Sequence, residues 1–180
     1  MLNRARSQPV NEVLPVRLID IEPDTCCCGA WQNVTITRWQ SRATGPATDR
    51  VSRVSAEIRG EYPQGISSVH LIVEGAPLPT PEGRAGLNTL MNAHASQLAC
   101  VAVLIGGTGF WASAIRAMIT GLRSMSSRAY ELRLFGSVEE IVAWLPALHA
   151  RRTAVELNPD ELAQALHTAN KWQADRPTEP

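Results

Sequence analysis

Val101-Ala102-Val103-Leu104-Ile105-Gly106-Gly107-Thr108-Gly109-Phe110-Trp111 decides the fold. An unbroken apolar run of strand length enters a glycine turn. After the turn, Trp111, Ile115, Met118, Ile119, Leu122 and Met125 recur at helical spacing, with Ser113, Arg116, Thr120 and Arg123 on the opposite side. A strand that is apolar on both faces and passes directly into an amphipathic helix belongs to an α/β fold, where helices cover the sheet. The strand itself, Ala99 to Ile105, is expected at the centre of that sheet.

The same alternation extends in both directions. Toward the C-terminus, Tyr130, Leu132 and Leu134 alternate with Glu131 and Arg133, which predicts a strand near an edge with one wetter face. Ser137-Val138-Glu139-Glu140 is a capping box that opens a helix through Ile141, Val142, Leu145 and Leu148, with Pro146 expected to bend or tighten its end. Toward the N-terminus, Leu87, Leu90, Met91, His94 and Leu98 form a helical stripe behind a start at Thr80-Pro81-Glu82. An interior strand is expected over Ile66 to Val73, between Pro63-Gln64-Gly65 and Glu74-Gly75. Gly45-Pro46 reads as a break, followed from Thr48 to Gly60 by a surface helix that buries Val51, Val54 and Ile58. Before it, Val34 and Ile36 alternate with Thr35 and Thr37, a half-buried strand that can form a hairpin with Cys26 to Trp31.

This organisation predicts a single α/β domain over residues 26–150, with a mixed sheet of about four to five strands covered by helices. Residues 1–25 read as an N-terminal arm or a loosely attached strand around Val16 to Ile21. Residues 151–174 read as an extra C-terminal helix with a thin stripe of Leu162, Ala165, Leu166 and Ala169, docking on its own domain or on a partner. A disordered tail is expected over 175–180.

The chain has 180 residues, a formal net charge of 0, 44% hydrophobic and 19% charged residues, so it can bury a real core. Its charge balance removes the electrostatic case for general nucleic-acid binding. No signal-like apolar segment and no apolar run of about 18 residues occurs, so the expectation is a cytoplasmic protein without membrane insertion. Cys26-Cys27-Cys28 and Cys100 lack zinc-ligand spacing and read as small buried hydrophobes of a reducing compartment.

Candidate chemistry is sparse. Gly106-Gly107-Thr108-Gly109 places free backbone N–H groups at a helix N-terminus, where an anion is favoured, although the Lys-Ser/Thr pair of a P-loop is missing. With Phe110, Trp111, Arg84 and Arg116 it forms a candidate anion or partner contact near the loop at Pro77 to Arg84. Glu74 and His94 are the acid and base hardest to dismiss. No Ser, His and acidic residue form a triad by pattern, and His70, His94, His149 and His167 lack metal-ligand spacing. The expectation is therefore a protein that is not an enzyme, with no catalytic residue, no metal and no cofactor.

The element order from Cys26 to His149 resembles the STAS fold of anti-sigma-factor antagonists and their SpoIIAA-like relatives. The stretch Arg133-Leu134-Phe135-Gly136-Ser137-Val138-Glu139-Glu140-Ile141-Val142-Ala143-Trp144-Leu145 looks like the closing strand and acidic, capped helix of that group. The resemblance implies a non-catalytic protein–protein interaction module in bacterial signalling or regulation, with an unidentified protein partner. Self-association as a homodimer is also left open. It further implies a phosphorylatable Ser or Thr at a helix start. Thr80 is the counterpart, in Pro79-Thr80-Pro81-Glu82-Gly83 where the family has Asp-Ser-Ser-Gly. The alternative reading is a module that binds an anionic or lipid-like small molecule with the loops at 77–84 and 106–110.

Overall fold

Parallel β-α-β crossovers share one hand, so a chain that adds each new strand to the same edge lays all its crossover helices on one face. The computed structural model, which describes residues 15–93, 95–107, 109–124 and 129–173, and of 122–124 the backbone alone, follows this rule. The strands are β1 (Arg17–Glu22), β2 (Cys26–Trp31), β3 (Val34–Trp39), β4 (Ile66–Ile72), β5 (Leu98–Ile105) and β6 (Glu131–Phe135). They form one sheet in the order β1-β2-β3-β4-β5-β6. The first three are antiparallel and the rest parallel, so the sheet is mixed.

The crossover helices α1 (Gly45–Glu61), α2 (Pro81–Ala93) and α3 (Gly109–Ser124) lie on one face. There Val51, Val54, Ile58, Ile115 and Ile119 pack on Cys26, Cys28, Val101 and Val103. Two further helices, α4 (Val138–Thr153) and α5 (Pro159–Ala169), cover the other face, where Ile141, Leu145, Leu162 and Leu166 pack on Trp31, Ile36, Val69 and Leu104.

Several expectations need correcting. The sheet has six strands, because residues 17–22 pair antiparallel with β2, Arg17 opposite Ala30 and Glu22 opposite Cys26. A register shift between Leu18 and Asp20 breaks the period-two pattern there, which is why the stretch reads as an arm or a loosely attached strand and not as a full member of the sheet. Arg50 of α1 ties β1 down by ion pairs to Asp20 at 2.7 Å and to Glu22. The sheet domain therefore starts at β1, and the remainder of the expected arm, residues 1–14, lies outside the described residues, as do His94 and residues 174–180. The strand Leu98–Ile105 is buried along its whole length yet lies one position in from the β6 edge, not at the centre.

Gly45-Pro46 does not break the chain but opens α1, with Thr44 Oγ1 accepting from Ala47 N at 3.4 Å and proline in the first turn, where it loses no helical hydrogen bond. Pro146 is accommodated inside α4, which runs on to Thr153.

The open question over the last helix resolves toward its own domain. Leu162, Ala165, Leu166 and Ala169 are buried, Arg38 Nε donates to Asn170 O at 2.9 Å, and Gln40 Nε2 donates to Trp172 O at 2.9 Å. Gly29 makes this docking possible. A Cβ there would stand 2.6 Å from Trp172 Cη2 and 2.1 Å from Arg17 O, so only glycine lets the indole and β1 close on β2.

Candidate functional site

A cavity with about 90 Å³ of enclosed space, partly open to solvent so that a longer guest can extend out of its mouth, lies between the sheet and α1, α2 and α3. Its floor carries Leu98, Val101 and Val103 of β5 and Leu132 of β6, and its roof carries Leu87, Leu90 and Met91 of α2 with Ile115, Met118 and Ile119 of α3. The roof explains the burial of α2. Gly83 is the one fully buried residue of that helix, while Leu87, Leu90 and Met91 are half-buried on the side that faces the cavity. Gly86 holds α2 close over α1, since a Cβ there would meet Thr48 Oγ1 at 2.0 Å.

Polar groups enter at a few points. Ser55 and Arg59 line the wall from α1, Ser68 and His70 rise from β4, and Ser41 follows β3. Arg59 is the only ionised side chain among the described lining residues, and no acid is among them. It is 8% exposed and has no hydrogen-bond or ion-pair partner among the described residues. Burial alone lowers its pKa from the ordinary guanidinium value, with no carboxylate acting on it.

His70 is neutral, because burial pushes its pKa down to about 4. Its Nδ1 accepts from Trp39 Nε1 at 3.2 Å, which leaves the ring proton on Nε2, facing Ser68 Oγ at 3.2 Å. Thr35 Oγ1 donates to Ser68 Oγ at 3.0 Å and completes the strip.

A second Ser–His pair lies on the opposite face. Ser67 Oγ is 2.7 Å from His149 Nδ1, and His149 Nε2 is 3.0 Å from Asn33 Oδ1. Asn33 Nδ2 donates to Gly65 O at 2.9 Å, which fixes the amide orientation and makes His149 Nε2 the donor and Nδ1 the acceptor. Cys100 Sγ stands 3.2 Å from Ser67 Oγ, so the proton order runs from Cys100 to Ser67 to His149 to Asn33. Burial lowers the His149 pKa to about 4 and raises the Cys100 thiol to about 11.

Each pair meets one requirement of a serine–histidine nucleophile and fails another. Ser67 has its histidine in the accepting tautomer, but Ser67, His149 and Asn33 are all 0% exposed. Ser68 faces a cavity, but the tautomer imposed by Trp39 makes His70 Nε2 a donor that cannot take the serine proton. The first set is a buried polar tie joining α4 to β3, β4 and β5, and the second is the polar floor of a binding cavity.

The residues singled out from the sequence lie mainly above this cavity. Thr80 caps α2, its Oγ1 accepting from Gly83 N at 2.9 Å. Trp111 is half-buried and donates from Nε1 to Ala76 O at 2.8 Å, which brings the loop after β4 against the first turn of α3. Phe110 is 91% exposed and Leu78 48% exposed on the same side. Gly107 and Gly109 adopt positive φ of 73° and 86°, and Gly106 is half-buried. Glu74 packs over the turn so closely that a Cβ at Gly107 would meet its Oε1 at 2.4 Å, and Gly106 N donates to Ile72 O at 3.3 Å, so a carboxylate stands where an anion was expected and one of the turn's N–H groups is already paired. Arg84 is exposed and Arg116 half-buried, and the side chain of neither makes an ion pair among the described residues. Thr108 lies outside the described residues.

Pattern reading missed Arg59, Ser55 and the Ser68–His70 floor. The signals were present. Ser55 and Arg59 fall four and eight residues after Val51, on the apolar stripe of α1, and Ser68 and His70 are spaced by two inside an otherwise apolar strand.

Among the described residues no helix is long and apolar enough to cross a membrane, and no group of three His, Cys, Asp or Glu residues could hold a metal ion. No protein-family model matches the chain, and no curated protein matches it as a relative.

Proposed function

We propose that this chain is a non-catalytic, ligand-binding regulatory module of STAS-like (SpoIIAA-like) fold, working in the bacterial cytoplasm. It houses a small, mainly apolar molecule between its sheet and α1 to α3. The observation that carries this reading is the cavity, apolar on floor and roof and bounded by a few fixed polar groups, as small-molecule sites are. The absence of catalysis is supported by the two Ser–His pairs, one sealed and the other in the wrong tautomer. Titration with 1-decanol tests the reading. Trp39 lines the cavity, so its fluorescence should change on filling, and the melting temperature should rise with ligand concentration. Val103→Phe, which fills the floor, should abolish both responses, and a wild-type protein that shows neither response sinks the reading.

A second reading, a STAS-like contact with a protein partner, is favoured by Phe110, whose ring is 91% exposed at the first turn of α3. Phosphate on Thr80 would sit at the N-terminus of α2 in this reading and switch the contact by its charge. Native mass spectrometry of protein gently enriched from its own cells should then show a partner that is lost in Phe110→Ser and Thr80→Glu. A partner retained by both variants removes this surface from the contact.

A further inference from the structure

We infer that Arg59 and Ser55 form a headgroup cradle, and that the guest of this cavity is a singly charged amphiphile: a carboxylate carried on an apolar chain. This rests on the ligand-binding reading above and adds the chemistry of the ligand.

Arg59 and Ser55 are 8% and 5% exposed, stand one helical turn apart on the inner stripe of α1, and both line the cavity. Neither side chain has a hydrogen-bond or ion-pair partner among the described residues. The chain supplies partners to the other arginines of α1 and to that of β1: Arg50 holds Asp20 and Glu22, Arg53 stands 3.5 Å from Asp20, and Arg17 holds Glu61 at 2.8 Å. At Arg59 it supplies none, and no acid lines the cavity wall. No side-chain nitrogen or oxygen among the described residues is both sealed from the accessible surface and without a partner, so the Arg59 guanidinium and the Ser55 hydroxyl remain accessible, and a guest in the cavity can pair with them in place of water. Burial lowers the Arg59 pKa without any compensating carboxylate, which agrees with a group awaiting an external counter-ion.

The charge of the guest follows from the surroundings. One arginine neutralises one negative charge, and Arg59 stands in the last turn of α1, where the helix dipole favours a cation and disfavours a dianion. A carboxylate can accept from the guanidinium and from the Ser55 hydroxyl together. The apolar part of the guest meets Leu90, Met91 and Met118, and the two methionines can adapt to a chain of varied length.

The test is calorimetric titration of decanoate, 1-decanol and decyl phosphate into the full-length protein and into Arg59→Met and Ser55→Ala. Loss of a charged hydrogen-bond partner should weaken decanoate about tenfold to a hundredfold in Arg59→Met. A severalfold weakening is expected in Ser55→Ala, while 1-decanol should bind all three proteins within about twofold. Wild type should prefer decanoate to decyl phosphate. Without ligand, Arg59→Met should melt close to wild type, since Arg59 has no partner among the described residues to lose. Decanoate binding that ignores both substitutions, a preference for the phosphate, or a lower melting temperature of Arg59→Met overturns the cradle. If 1-decanol still binds in those cases, the cavity reading stands alone, and if no probe binds wild type, both fall.

Discussion

His149 should make the protein sensitive to mild acid, and its burial sets the size of the effect. The ring is 0% exposed, and its pKa falls from an ordinary 6.5 to about 4 on folding. The folded pKa is depressed for a base, so the unfolded chain binds the proton more tightly, and stability rises with pH through this window. The contribution is complete above about pH 6.5, declines below it, and is gone below about pH 4. Linkage puts the loss at about 2 kcal/mol by pH 5 and about 3 kcal/mol in full. His70, lowered to about 4 by the same cause, adds a loss of the same sign. Urea unfolding at about pH 7.5 and about pH 5 measures the total. His149→Gln, which can still donate to Asn33, should cost about 2 kcal/mol at neutral pH and remove its own share of the acid sensitivity. If the variant shows the same pH difference as wild type within about 0.5 kcal/mol, the buried imidazole is not what titrates and the argument fails.

Gly29→Ala should cost about 1 to 3 kcal/mol or more and loosen the C-terminal segment, read as faster amide exchange at Trp172, because its methyl collides with Arg17 O and the indole. Leu166→Ala, on the fully buried face of α5, should lose about 2 to 5 kcal/mol in urea unfolding. Thr80→Ala should lose about 1 kcal/mol with the α2 cap, whereas Thr80→Asp should keep it. Cys26, Cys27, Cys28 and Cys100 are all buried; contact with Cys26 and burial raise the Cys28 thiol, and burial raises Cys100. All four should therefore resist iodoacetamide until urea unfolds the protein, as followed by intact mass.

The elements that read clearly from the sequence are those whose period is unbroken and whose partners are local. The Val101 to Trp111 junction, the Ser137 capping box and the Cys26 to Trp39 hairpin are set by neighbours a few residues away. β1 was read only as an arm or a loosely attached strand, because its alternation is interrupted where its register with β2 shifts. The start of α1 escaped because Gly45-Pro46 carries the same residue types in a break and in a capped first turn, and only the Thr44 side chain tells them apart. The site was less legible. Pro77 and Pro79 of the loop at 77–84 do line the cavity, but most of its wall is the inner faces of three helices and four strands, which local chemistry does not reveal. Arg59 belongs to it because of the helix that crosses over it, α2, and not because of any residue beside it in the chain.

Every strand of the sheet lies next to its neighbours in the chain, so the sheet can grow on the ribosome in the order in which it is translated, each β-α unit zipping onto the last without waiting for a distant segment. The face under α4 and α5 follows the opposite schedule. Trp31, Val34 and Ile36 are made well before α5, the helix that covers them. During synthesis that greasy face stays open while the other is already roofed. That face closes only when α5 docks, so the final helix of the fold acts as a latch on it.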